Sequence, residues 1–170
     1  MIVRDAERAD MAGVQAIYAG YVTGSLASFE ETVPSLPEMR SRFEAIRAGG
    51  FPYLVAEGEA GLLGYAYAGP YRTRSAYRHT LESSVYVAEG RRGGGIGSAL
   101  MAALIARCEA GPWRQMIAII TTLPEAPASP SILLHTRLGF RIVGTLSEVG
   151  FKQGRWVDTT VTQRPLAPSP

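Results

Sequence analysis

The stretch from Leu81 to Cys108 constrains the fold most, because strand, turn and helix signals follow one another there without a gap. Leu81, Ser83, Val85 and Val87 alternate with Glu82, Ser84 and Tyr86, the two-residue period of a strand. Leu100, Met101, Leu104, Ile105 and Cys108 recur at the spacing of one helical face, and Gly111-Pro112 stops the helix. Between them lies Arg91-Arg92-Gly93-Gly94-Gly95-Ile96-Gly97-Ser98. Its glycines open left-handed conformations and let a ligand reach the amides without meeting a Cβ. Those amides begin a helix, whose unpaired N–H groups and positive dipole end suit phosphate, and two arginines add charge. The segment therefore predicts a pyrophosphate cradle. No choice of first glycine completes the dinucleotide pattern G-x-G-x-x-G, and no Gly-Lys-Ser/Thr ending makes it a P-loop. A tight turn without a ligand is the plainer alternative.

A chain of 170 residues has room for one domain with a substantial core. Residues 1–165 are expected to form it, with 166–170 a disordered proline-rich tail. Hydrophobic residues at 46% and charged residues at 19% argue against a disordered chain. A net charge of +2 without a run of like charges gives no reason to expect nucleic acid or an anionic membrane as partner. No apolar run approaches a membrane span, and Arg4, Asp5, Glu7 and Arg8 stand where a signal peptide would be apolar, so a cytoplasmic protein is expected. The single cysteine, Cys108, reads as a buried structural thiol on the apolar face of the central helix. No His, Cys or carboxylate spacing marks a metal site, and no metal is expected.

Ahead of the central unit, Ile2 to Arg4 starts a strand, and Asp10 is placed to cap a helix carrying Met11, Val14, Ile17, Tyr18 and Tyr21. A loop with Ser28-Phe29-Glu30 leads to a second helix from Leu36-Pro37, burying Met39, Phe43 and Ile46 and stopping at Gly49-Gly50. Tyr53 to Glu57 and Leu62 to Ala68 are strands joined by a Gly58-Glu-Ala-Gly61 hairpin signal. Tyr71 to His79 then crowds basic and aromatic residues before the central strand; arginine there can grip a carboxylate or phosphinate with two parallel hydrogen bonds, or simply be solvated. Beyond the central helix, Met116 to Thr122 is a strand, and Leu123 to Pro130, with prolines at 124, 127 and 130, is expected to run extended and stiff. Ser129-Pro130 opens a short helix bearing Ile132, Leu133, Leu134 and Leu138, with His135 in a structural role and Gly139 at its end. Phe140 to Glu148 and Val157 to Arg164 complete a mixed α/β pattern with one sheet covered by helices.

Arg92-x-x-Gly95-x-Gly97 after Val85-Tyr86-Val87 resembles the coenzyme A motif of the GNAT superfamily of N-acetyltransferases. Ser28-Phe29-Glu30, Pro52 to Glu57, Gly64 to Pro70, Arg74 to Tyr77, Glu82 to Val87, Leu134 to Phe140 and Gly154 to Asp158 are similar to its phosphinothricin N-acetyltransferase-like branch, which includes methionine sulfoximine acetyltransferases. The resemblance covers nearly the whole chain. It implies the GNAT fold, a mixed, mostly antiparallel twisted sheet with helices on both faces, in which the strand ending at Val87 splays from its neighbour and admits the pantetheine arm of acetyl-CoA. Coenzyme contacts then fall on Val85, Tyr86, Val87, Arg92, Gly93, Gly94, Gly95, Ile96, Gly97 and Ser98. Acceptor contacts fall on Ser75, Ala76 and Tyr77, beside Arg72 and Arg74 of the anion-gripping reading above, and on Phe29 and Glu30, whose plainer reading is a loop aromatic and a solvated acid; the general base falls on Glu82, and a homodimer is implied. Two departures stand out. The family's short Asn-containing turn is replaced by Leu123 to Pro130, and the superfamily's general-acid tyrosine has no counterpart between Leu133 and Trp156.

An amine attacks a thioester only when neutral, so a base must take its proton, and the carbonyl oxygen needs a donor, here a backbone N–H near Val85. Glu82 can be that base, or a structural partner for Arg72, Arg74 or Arg78. The expected reaction is direct transfer of acetyl from acetyl-CoA to the amine of a small amino-acid-like acceptor. A peptide or protein amine as acceptor, and a non-catalytic acyl-CoA-binding regulatory module, are the alternatives.

Overall fold

The protein is described by a computed structural model over residues 1–166. Its elements are β1 (Ile2–Asp5), α1 (Met11–Gly24), α2 (Leu36–Ala48), β2 (Tyr53–Gly58), β3 (Gly61–Pro70), β4 (Thr80–Val87), α3 (Ile96–Glu109), β5 (Gln115–Thr122), α4 (Pro130–Arg137), β6 (Arg141–Lys152) and β7 (Arg155–Pro165), with 3₁₀ turns at Arg8–Asp10 and Ser75–Tyr77. The strands form one sheet in the order β1-β2-β3-β4-β5-β7-β6, antiparallel throughout except where β4 meets β5. This is the expected mixed α/β order. Among the described residues no helix is long and apolar enough to cross a membrane.

Helix starts follow their caps. Ser35 and Ser129 accept from the N–H groups of Glu38 and Ile132, each at 3.3 Å, with a proline in the first turn. Asp10 departs from expectation: its carboxylate does not cap α1 but accepts from the Glu7 N–H at 2.8 Å and from both Arg4 Nη atoms. The arginine lies across from it on β1 and offers a charged fork, a stronger donor than a helix amide.

Strand alternation divides the core into two layers. On one face Leu100, Met101, Leu104 and Cys108 of α3, with Ile132 of α4, pack on Leu54, Ala66, Leu81 and Met116. Each such leucine contributes about 1.5–3 kcal/mol relative to exposure. Burial pushes the Cys108 thiol up to about 12, leaving it inert at neutral pH. On the other face Met11, Val14, Tyr18 and Val22 of α1, with Met39 and Phe43 of α2, cover Tyr53, Val55 and Tyr65. Because Leu81 faces the first layer and Tyr86 packs against the second, Glu82 and Ser84 share the α1/α2 face with Tyr86.

Three further segments of the core and sheet differ from the sequence expectation. Leu133 is 46% exposed, since a helix of two turns buries only the stripe carrying Ile132 and His135. Leu166, expected in a disordered tail, is 5% exposed, joins the α3 core and donates its N–H to the Arg114 carbonyl at 3.0 Å; positions 167–170 lie outside the described residues. Strand β6 extends to Lys152, because Gln153 and Gly154, with φ of 52° and 72°, close a two-residue hairpin that keeps the pairing going past the expected end at Glu148. Two register shifts bend this edge strand.

Candidate active site

Strand β4 is paired along its whole length on one side and over three residues on the other. Toward β3 the register runs from Pro70↔Leu81 to Gly64↔Val87. Toward β5 it stops after Thr80↔Gln115, Leu81↔Met116 and Glu82↔Ile117, while β5 continues pairing with β7 up to Thr122↔Asp158. The two strands therefore part beyond Glu82 and leave a fork, with the Ser83 hydroxyl reaching the Ile117 carbonyl at 3.4 Å in its crotch. Ala88 donates to the Leu63 carbonyl, so alternation turns the peptide groups of Tyr86 toward β3 and those of Val85 and Val87 into the fork. The Tyr21 hydroxyl occupies that side of Val87, accepting from its N–H at 3.1 Å and donating to its carbonyl at 2.9 Å. This sorts the expected coenzyme strand. Val85 and Val87 present their backbone to the fork, whereas Tyr86 does not: its ring packs on Tyr65 and against Tyr18 and Tyr21.

The glycine turn sits at the mouth of the fork. Gly90, Gly93 and Gly95 have φ of 71°, 85° and 78°, and a Cβ on any of them would meet nothing within 4 Å. Backbone conformation requires glycine here, and the space above is open to a ligand. Gly95 is the N-cap of α3 and brings no side chain to bond the first-turn amides, leaving the N–H groups of Ile96, Gly97 and Ser98 without a cap. The Ile96 side chain itself is buried in the core. Arg91 and Arg92 are exposed, and the Arg92 guanidinium lies 4.9 Å from the centre of the Tyr21 ring. The residues present fit a pyrophosphate and an extended arm entering the fork.

Glu82 lies at the crotch on the α1/α2 face, half-buried and without an ion pair among the described residues. Burial raises its pKa, with the Arg72 charge acting in the opposite sense. The structural alternative, a salt bridge to Arg72, Arg74 or Arg78, is not formed. Arg72, Arg74 and Tyr77 instead line an open cleft of about 390 Å³, where Arg72 stacks on Tyr71 at 5.0 Å; Ser75 and Ala76 form the exposed 3₁₀ turn beneath it.

Glu30 is not a solvated acid. It accepts from the Tyr18 hydroxyl at 3.0 Å and from Arg42 at 2.6 Å, and burial raises the pKa of Tyr67 with the charges of Glu82 and Glu30 acting in the same sense. Phe29 is exposed, its ring resting against Gly150. A second cleft of about 350 Å³ opens between Gly24–Ala27, Thr121–Leu123, Ala126, Ser129 and Gln153. Its far wall is the proline-containing loop, which is not extended: Ala126 donates to the Leu123 carbonyl at 2.9 Å in a tight turn, and Glu125 pairs with Arg155. Sequence reasoning missed Tyr18, Tyr21 and Arg42 as site residues. Tyr18 and Tyr21 were legible only as core periodicity on α1, and Arg42, off the buried stripe of α2, carried no signal of its own. Among the described residues no group of His, Cys, Asp or Glu is placed to hold a metal.

With this geometry in view the comparisons are direct. The family model of the acetyltransferase (GNAT) domain matches residues 3–161. Phosphinothricin N-acetyltransferase of Alcaligenes faecalis is 51% identical over 165 residues, 97% of this chain and 81% of that protein. The L-methionine sulfoximine/L-methionine sulfone acetyltransferase of Pseudomonas paraeruginosa is 42% identical over 98% of this chain and 95% of its own. Among solved structures, a GNAT superfamily phosphinothricin acetyltransferase from Sinorhizobium meliloti in complex with AcCoA superposes with a TM-score of 0.91 at 46% identity, covering 98% of this chain and 88% of that one. On the match of fold and sequence over nearly its whole length, the chain belongs to the GNAT acetyltransferase family.

Proposed function

We propose that the protein transfers acetyl from acetyl-CoA to the amine of a small amino-acid-like acceptor of the phosphinothricin or methionine sulfoximine type. The observation that carries this reading is the β4/β5 fork, with an unpaired carboxyl group at its crotch and a glycine-opened helix N-terminus at its mouth. The amides from Gly93 to Ser98 and the Arg92 charge hold the pyrophosphate, and the backbone of Val85 pairs with the arm, joined by that of Val87 once the Tyr21 hydroxyl gives up its two bonds there. The Val85 N–H donates to the thioester oxygen as negative charge builds there. The acceptor approaches from the α1/α2 face. Arg72 and Arg74 grip its carboxylate or phosphinate, Phe29 and Glu30 wall it on one side, and Ser75, Ala76 and Tyr77 on the other.

Glu82 takes the amine proton. Its raised pKa makes it a stronger base than an ordinary carboxylate, and the deprotonated form it needs is lost as pH falls through that raised value. An α-amine beside a free carboxylate is more basic than a peptide terminus but less basic than a lysine amine near 10.4, which requires about 4–5 kcal/mol to become neutral at pH 7, so every acceptor of this class needs a base and the α-amine makes the smaller demand on it. Attack is direct, with no covalent enzyme intermediate and no metal. The reading places the protein in the cytoplasm, where acetyl-CoA and free amino acids meet, as a homodimer of one domain that extends at least to Leu166. Support for the dimer comes from the β6–β7 edge, where Ile142, Val143, Leu146, Val149, Phe151 and Trp156 are each more than half exposed. Sedimentation at micromolar concentration should return twice the 18.2 kDa chain mass.

Release of free CoA, followed across amino-acid analogues and short peptides, tests the activity. Turnover should be fastest with phosphinothricin or methionine sulfoximine, and Glu82→Gln should lower kcat by about ten- to a thousandfold, with partial recovery as pH rises. Binding of acetyl-CoA without release in the presence of any amine would instead identify a regulatory module.

A further inference from the structure

Lys152 carries a charge that the mechanism above does not use. It ends β6 with 4% of its surface exposed, 124 to 131 residues away in sequence from the groups it bonds. Its ammonium donates to three backbone carbonyls, Ser28 at 2.6 Å, Ser25 at 2.8 Å and Tyr21 at 3.4 Å. Three acceptors match the three N–H groups of a charged amine; a neutral amine would leave one without a donor. Burial lowers the pKa of this lysine, and Glu31 acts against the shift.

All three carbonyls belong to the end of α1 and the loop after it, and Ser28 precedes Phe29 and Glu30 directly. Two neighbours of Lys152 grip the same segment. The Gln153 side chain donates to the Thr23 carbonyl at 3.1 Å. A Cβ built on Gly150 would lie 2.4 Å from the Phe29 ring, so the missing side chain is what seats that ring. A loop of this length has no helix or strand of its own to set its shape, and its carbonyls would otherwise turn to water. The end of the β6–β7 hairpin thus determines where Phe29 and Glu30 stand relative to Glu82.

We propose that Lys152, with Gly150 behind Phe29, is a positioning residue for the acceptor site, setting acceptor affinity through the Ser25–Glu30 loop without touching the coenzyme turn. This rests on the reading of Phe29 and Glu30 as acceptor walls. The test compares the parent with Lys152→Met, which keeps the apolar stem and removes the donor, and with Gly150→Ala, which keeps the lysine and displaces the ring. In each, the acceptor KM is measured by CoA release and the acetyl-CoA dissociation constant by calorimetry. The acceptor KM should rise about tenfold in both variants while coenzyme affinity stays within twofold of the parent. Should Lys152→Met fail to fold, Gly150→Ala decides alone. Folded variants with unchanged acceptor KM, or with coenzyme affinity falling as much as acceptor affinity, would overturn the proposal. Absence of turnover by the parent with every amine is a different result: it removes the transferase reading and this proposal with it.

Discussion

The glycine turn proposed to hold the coenzyme and the Ser25–Glu30 loop proposed to wall the acceptor are both short, yet they are held in opposite ways. Gly90 to Ser98 is shaped by its own backbone: Arg91 bonds back to Ala88, Ala99 to Gly95, and three glycines take left-handed φ with open space around them. The Ser25–Glu30 loop has little local structure and is held from outside by Tyr18 of α1, Arg42 of α2 and Gly150, Lys152 and Gln153 of the distant hairpin. A turn encoded in contiguous residues can be kept while the rest of the sequence drifts. A loop held by three separate elements changes shape when any of them changes. One chain can in this way keep its coenzyme and vary its amine.

Substitutions that act on one region alone test that separation. The largest effect should come from Gly95→Val, because a β-branched residue at φ 78° costs about 1–2 kcal/mol in backbone strain before any crowding of the phosphate. Acetyl-CoA affinity should fall by about ten- to a hundredfold in calorimetry, with acceptor KM at saturating coenzyme unchanged. Arg92→Glu comes next, at about tenfold in low salt and less as ionic strength rises, since the guanidinium is exposed and screened. A coenzyme affinity within twofold of the parent in both variants would remove the turn from the coenzyme site. The smallest effect is expected from replacing Leu123 to Pro130 by Gly-Asn-Ala-Ala. This loop directly continues β5, one arm of the fork, so the graft should shift the Michaelis constant for acetyl-CoA a few-fold and leave acceptor preference intact, although across the cleft it faces Ser25 to Ala27. If the graft alters only which amine is acetylated, the cleft belongs to the acceptor side and the division between the two regions lies elsewhere.

Local signals in the sequence determined the order of elements, the strand-turn-helix unit around Gly93 to Gly97, and the residues α3 buries, because period, cap and glycine act within a few positions of themselves. The family motif lies in the same contiguous stretch, which is why Arg92, Gly95 and Gly97 were legible without coordinates. Glu82 was legible as a candidate, but its freedom from an ion pair was not: Arg72, Arg74 and Arg78 are near in sequence, and only the course of the Ser75–Tyr77 turn directs them elsewhere. Tertiary structure alone separated Val85 and Val87 from Tyr86, since which peptide groups face the fork depends on which edge of β4 loses its partner. It also drew Leu166 into the core and brought Lys152 to the carbonyls of Ser25 and Ser28. A backbone carbonyl has no sequence signature, so a lysine that reads as an ordinary polar residue beside a hairpin turn becomes a buried anchor only when the sheet folds its strand against the end of α1.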